Sequence, residues 1–350
     1  MQNLLAKIKE YLIKLLPLIA LATPLVLLYI LNPVDSALKI SPQNSFQTMW
    51  KGRTFELFFI WLVSLEYILS WETIQSKITM QKKARTLLFA VVLLLPSLFV
   101  FLEYSGLNMA VASWATQDGL VFAGTLPIAI EYLVFSLLFC LAVFVPFGKK
   151  GLTGFALPVL FVGLIGVIYA IDTIFPYGQF TPFQLLVPTT ASFAGDILSL
   201  MGNTVVMGTD VSTSMPTLQV TGALGTAKFA IAWPCAGIES LLIFTAVALL
   251  FLKRMPISWR AKVGYFTFGA AIIYLINILR IVSIFTIGMQ FGVDSPQVQE
   301  FHAYYGPLYA VAWIISYPLL ILVSQMMWQK YRNPKPLKVK THQPKPLSPV

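Results

Sequence analysis

Residues Thr86 to Glu103 read TLLFAVVLLLPSLFVFLE, with a single charge, Glu103, at the far end. A bilayer core about 30 Å thick needs roughly 20 apolar residues of α-helix at about 1.5 Å each. This stretch comes close to that length and carries nothing that water would have to solvate. By the same test, crossings are expected near 12–31, 55–72, 120–147, 152–174, 229–252, 263–289 and 304–328. The expected fold is therefore an all-α polytopic membrane protein of about eight transmembrane helices.

Composition leads to the same class. Hydrophobic residues make up 57% of the 350-residue chain and charged residues 11%, against about 25% charged in an ordinary globular domain. So few charges cannot cover the surface of a water-soluble fold. A soluble enzyme, a disordered chain and a disulfide scaffold are excluded, the last also because only Cys140 and Cys235 are present. The first crossing is too long, and lacks the small-residue cleavage site, for a signal peptide. Pro24, Pro96, Pro127 and Pro158 fall inside the expected crossings, where neighbouring helices can absorb a kink.

Lys and Arg exceed Asp and Glu by 24 to 14. In a membrane chain that excess reflects cytoplasmic retention of basic loops and needs no nucleic-acid partner. With the N-terminus inside, the inner segments hold nineteen of these cations. They include Lys77, Lys82, Lys83 and Arg85, the turn Lys149-Lys150, the group Lys253, Arg254, Arg260 and Lys262, and six in the tail. The outer segments hold four, Lys39, Lys51, Arg53 and Lys228. Both termini are therefore expected in the cytoplasm.

The chain divides into residues 1–174 with five crossings, an exterior segment 175–228, three crossings over 229–328 and a tail 329–350. The exterior segment is too long for a plain connection. Its alternating runs Thr204–Met207 and Thr217–Val220, with Gly208, Gly222 and Gly225, predict a small β-hairpin-containing cap over the outer face. The tail is basic and proline-rich, which predicts disorder against anionic headgroups. No internal repeat, phosphate-binding glycine loop or metal-spaced His/Cys cluster is present, and no cofactor is expected.

Polar groups in the last three crossings stand out. Cys235 lies in Trp233-Pro234-Cys235-Ala236-Gly237-Ile238-Glu239-Ser240-Leu241. Ile238 to Leu252 gives only about 23 Å of helix, so the segment around Cys235 must enter the outer leaflet, and Pro234 and Gly237 suit a helix start or break. A buried cysteine is ordinarily an inert small hydrophobe, and that reading serves for Cys140. Arg280, in Asn277-Ile278-Leu279-Arg280-Ile281, costs about 2.5–3.5 kcal/mol at a helix centre on insertion scales. Asn277 shares its face and can hold the guanidinium. The bland alternative is an ion pair from Arg280 to Glu66, Glu131 or Glu239. His302 opens the last crossing, in Phe301-His302-Ala303-Tyr304-Tyr305-Gly306.

Cys235, Arg280 and His302 thus fall on three successive crossings at overlapping depths near one membrane face. An adjacent histidine or cation makes a thiol nucleophilic near neutral pH. An arginine presents forked donors to a developing oxyanion. The three suffice for acyl transfer.

The pattern Cys-x-Gly-Ile-x-Ser-Leu, Asn-x-x-Arg-Ile and His-x-x-x-Gly on consecutive helices resembles the exosortase/archaeosortase family of membrane cysteine transpeptidases. The resemblance is specific over residues 229–306. It implies that Cys235 is the nucleophile, Arg280 the family's arginine and His302 the third member; Asn277 and Glu239, read from this chain's own spacing, are the candidate supporting residues. It also implies a substrate class, exported proteins with a C-terminal sorting helix, and a membrane lipid as candidate acyl acceptor. Ala236 and Glu239 stand where the family commonly has Ser and Arg, and Glu239 places an acid one helical turn from the thiol. The alternative reading is a secondary transporter or lipid flippase using Glu56, Glu66 and Glu131; a third is a non-catalytic scaffold.

Overall fold

The structure, a computed structural model, describes residues 2–31, 54–71, 83–120, 123–175, 186–211, 215–232 and 235–332. The tail beyond Arg332, the connection carrying Lys39, Lys51 and Arg53, residues Lys77 and Lys82, and the pair Trp233-Pro234 lie outside these residues. The helices are α1 (Gln2–Leu31), α2 (Thr54–Ser70), α3 (Lys83–Leu102), α4 (Asn108–Gln117), α5 (Leu126–Gly154), α6 (Ala156–Ile174) and α7 (Leu186–Leu200). A small sheet follows, β1 (Thr204–Thr209), β2 (Pro216–Gly222) and β3 (Gly225–Ala230). Then come α8 (Ile238–Arg254), α9 (Trp259–Phe291), α10 (Pro296–Glu300) and α11 (Gly306–Arg332).

Among the described residues, five helical stretches are long and apolar enough to cross a membrane: Ala84–Gln117, Ala123–Gly154, Ala156–Ile174, Trp259–Phe291 and Gly306–Trp328. The other three expected crossings are shorter. α2 and α8 have 17 residues each, about 26 Å of rise, and the apolar part of α1 is Lys14–Leu28. The third crossing, expected to end at Glu103, is followed there by a kinked turn, Glu103–Leu107, in which Gly106 takes a non-helical φ of +111°, and then by α4 to Gln117. Pro127 and Pro158 are not mid-helix kinks. They sit in the first turns of α5 and α6, where a missing N–H costs no intrahelical bond.

The first crossings enclose an aromatic core of Phe55, Phe59, Tyr132, Phe135, Phe139, Phe155 and Phe161. Glycines bring α5 and α6 together: a Cβ on Gly166 would lie 2.8 Å from Leu133 Cγ, and one on Gly163 would lie 2.9 Å from Ser136 Oγ.

The segment 175–228 holds the small β-element expected of it, two antiparallel hairpins, and among its described residues a helix as well. It opens with α7, whose Val187, Ala191, Ala194 and Leu198 recur at helical spacing and are buried. The strands form an antiparallel meander, β1-β2-β3, with Val205 opposite Val220 and Gln219 opposite Lys228. Alternation sets one face, Leu218, Val220 and Ala227, against α7 and α9, and leaves Gln219 and Lys228 exposed. The sixth crossing was expected from residue 229. The strand instead continues through Ala230, and the helix begins only at Ile238.

At the far end of α8, Glu66 is fully buried and accepts from Lys253 Nζ at 3.1 Å and from Arg254 Nη2. Arg254 also donates to Ser70 Oγ and to the Leu69 carbonyl. Removing both cations would strand a buried carboxylate, so Lys253→Ala combined with Arg254→Ala should cost about 3–5 kcal/mol. Glu66→Leu should cost less, because both cations are partly exposed and can rehydrate. Thermal unfolding of the purified variants in detergent checks this order.

Candidate active site

The cysteine is carried to its position by the sheet. Ile231 N–H donates to the Pro216 carbonyl at 2.8 Å, continuing the β2–β3 pairing to the strand exit. A turn over Cys235 to Gly237 then leads into α8, with Leu241 N–H donating to the Gly237 carbonyl. Gly237 takes φ +87°, and a Cβ there would lie 2.4 Å from Asn277 Cγ. Glycine is therefore required twice at this position, for the left-handed backbone and for the close approach of α9.

Asn277 was expected to hold the Arg280 guanidinium. It is buried instead against the cysteine turn, where Nδ2 donates to the Cys235 carbonyl at 3.0 Å. An amide at this point fixes the turn that carries the thiol. Arg280, nearly one turn further along α9, donates from Nη2 to the His302 carbonyl at 2.8 Å. Its Nε is buried against Gly306 with no hydrogen-bond partner among the described residues, and a Cβ on Gly306 would lie 2.6 Å from that nitrogen.

His302 lies in the π-helical turn Phe301–Tyr305 that precedes α11. Its Nε2 is 3.2 Å from Cys235 Sγ. His302 keeps an exposed surface, yet the protein packed around its ring, and after it the Arg280 charge, hold the imidazole pKa down at about 4. The ring is therefore neutral near pH 7. The three expected residues are thus brought together: the thiol touches the imidazole, and the arginine holds the backbone of the histidine. Cys140 on α5 is a free thiol outside this group.

None of the suggested acids forms an ion pair with Arg280. Glu66 is taken by Lys253 and Arg254, and Glu131 accepts from Asn108 Nδ2 at 3.2 Å. Glu239 accepts from Tyr169 O–H at 2.8 Å. Tyr169 has no signal in the sequence, because it lies 70 residues from Glu239 in a mainly apolar crossing whose charge, Asp172, is not its partner in this bond. Gly306 stood in the sequence pattern without a role, and its contact with Arg280 supplies one. Among the described residues no three His, Cys, Asp or Glu side chains gather in a metal-holding cluster.

No curated protein and no solved structure is significantly similar to the chain. The family described as transmembrane exosortase matches residues 49–320, a span that contains the cysteine turn, the arginine helix and the histidine turn. The chain belongs to the transmembrane exosortase family.

Proposed function

We propose that the chain is a membrane cysteine peptidase and transpeptidase that cleaves the C-terminal sorting signal of exported proteins and transfers the new C-terminus to a membrane anchor. The reading places both termini in the cytoplasm and the site at the outer face. The observation that carries it is the 3.2 Å contact between Cys235 Sγ and His302 Nε2, beside a guanidinium held on the same histidine's backbone. The transporter reading has less behind it, since of its acids Glu56, Glu66 and Glu131 the last two are held in hydrogen bonds.

In this mechanism the resting pair is a thiol and a neutral imidazole. Nε2 takes the thiol proton as sulfur attacks the peptide carbonyl, and the oxyanion forms toward the Arg280 donors not used by His302. The imidazolium then protonates the departing amine, leaving a thioester on Cys235. A histidine with a depressed pKa is a weak base and a strong acid. It therefore contributes most when the amine leaves.

Cys235→Ala should abolish processing of a co-expressed exported protein bearing a C-terminal sorting helix, while the variant still accumulates in the membrane. Full processing by that variant would end the covalent mechanism. Gly306→Ala pushes a methyl group into Arg280, and should lower kcat about 100-fold, as loss of an oxyanion donor does, while Cys235 still reacts with iodoacetamide. Protonation of His302 removes the base only as the pH falls toward its pKa of about 4. Processing of purified substrate should therefore persist from pH 7 to about 5 and fall below that.

A further inference from the structure

The sheet has two outer strands, β1 and β3, and β3 leads to the cysteine turn. Ile231 N–H donates to the Pro216 carbonyl at 2.8 Å, and antiparallel pairing alternates every second residue. Gly225, Ala227 and Phe229 therefore turn their backbone groups to β2, while Thr226, Lys228 and Ala230 turn theirs outward. These last three residues are exposed. Their outward N–H and C=O groups have no hydrogen-bond partner among the described residues. By the same reasoning, Asp210 N–H on the Met215 carbonyl at 2.8 Å leaves Val205, Met207 and Thr209 outward on β1.

β3 runs along α9 toward the site. A Cβ on Gly225 would lie 2.5 Å from the Met289 carbonyl oxygen, and one on Gly288 would lie 2.9 Å from the Phe229 ring. Further along the chain, the Cys235 carbonyl is held by Asn277 at 3.0 Å, about 18 Å back along the helix from Met289. Ala236 N–H donates to the Ala232 carbonyl at 3.1 Å, which closes the turn directly after the strand. β1 ends at Thr209, on the opposite side of the sheet, and leads to no site residue. A peptide bond is open to attack only where the chain is extended, because a helix encloses its amides in its own hydrogen bonds. An enzyme that cuts beside a membrane helix must therefore hold the residues before the cut extended. An unpaired strand edge does that through main-chain bonds that most sequences can supply.

We infer that β3 is the docking strand for the substrate: the segment of an exported protein just upstream of the cleaved bond adds to its free edge as a fourth strand. The inference rests on the proposed function, both for Cys235 as nucleophile and for a site at the outer face. The substrate chain then passes from the exterior into the membrane. β3 runs the same way, from the outer end of α9 to the cysteine turn, so the added strand is parallel to it. Its bonds go to the backbone of Thr226, Lys228 and Ala230, and its C-terminal end is delivered to Cys235. The edge grips main chain, so it fixes how deep the cut falls with little dependence on side chains.

Proline tests an edge without unmaking the sheet, because at an outward position it removes an N–H that the ladder does not use. The probe is an epitope-tagged exported protein with a C-terminal sorting helix, co-expressed with the full chain. Lys228→Pro should lower its processing about tenfold, the upper size of a single backbone hydrogen bond, while Cys235 still reacts with iodoacetamide. Met207→Pro makes the same change on the β1 edge and should stay within about twofold of wild type. A second measurement leaves the backbone intact. In a Cys235→Ala chain, p-benzoylphenylalanine in place of Thr226 should cross-link the uncut tagged protein on irradiation, and in place of Thr204 on β1 it should not. Should Lys228→Pro lose its reaction with iodoacetamide, the cross-link decides alone. Wild-type processing by Lys228→Pro, an equal loss in Met207→Pro, or equal cross-linking from the two positions overturns the docking strand. Processing that persists in Cys235→Ala overturns the nucleophile itself, and the docking strand with it.

Discussion

The close approach of Gly237 to Asn277 is the constraint on which the site depends. With no side chain at Gly237, α9 comes near enough for Asn277 Nδ2 to donate to the Cys235 carbonyl. The same left-handed residue ends the turn and begins α8. A methyl group there would lie 2.4 Å from Asn277 Cγ, which the backbone could relieve only by moving the thiol away from α9. Since Arg280 is three residues along that helix, its distance from the sulfur is set by the same contact. His302 in turn is tied to Arg280 through its own carbonyl. One missing Cβ therefore fixes the positions of three side chains.

Buried polar groups elsewhere show why this arrangement can exist in an apolar chain. Glu66 is met by two cations at the end of α8, and Glu131 is met by Asn108. Polar groups left unmet in hydrocarbon cost several kcal/mol each, so such pairs are ordinary structural solutions. Arg280 is solved differently. One nitrogen of its fork is bonded to backbone, and Nε has no acceptor among the described residues. Set against Glu66 and Glu131, whose bonded partners are clear, a cation with unused donors near a thiol is the group that stands out.

Much of this was legible in the chain. The apolar runs gave the helical membrane class, because a bilayer imposes a minimum length on any crossing. Arg280 and Cys235 could be singled out because charge and sulfur chemistry are rare in such runs. The strands at Thr204 and Thr217 could be read from alternation, but the helix Leu186–Leu200 could not be read from bulk hydropathy. Its apolar stripe is diluted by Pro188, Thr189, Ser192 and Asp196, so only its spacing reveals it. The partner of Asn277 was misread for a similar reason. Helical periodicity gives the face a side chain occupies, while the neighbouring element decides what it bonds. Tyr169 lay beyond sequence reasoning altogether, since its meeting with Glu239 depends on how α6 packs against α8.

The geometry of Arg280 explains why this position calls for an arginine. A lysine ammonium is a single point charge on a flexible stem, and a bond to the His302 carbonyl would not fix where its other two donors point. A guanidinium divides its donors along a rigid plane. With Nη2 on that carbonyl, the plane is fixed, Nε is turned to Gly306, and the remaining nitrogen cannot follow it. The same bond positions the imidazole, because the carbonyl belongs to the histidine whose Nε2 meets the sulfur. In the proposed mechanism, charge for the oxyanion and placement of the base would then be two consequences of one planar group, and a change that rotates it would alter both together.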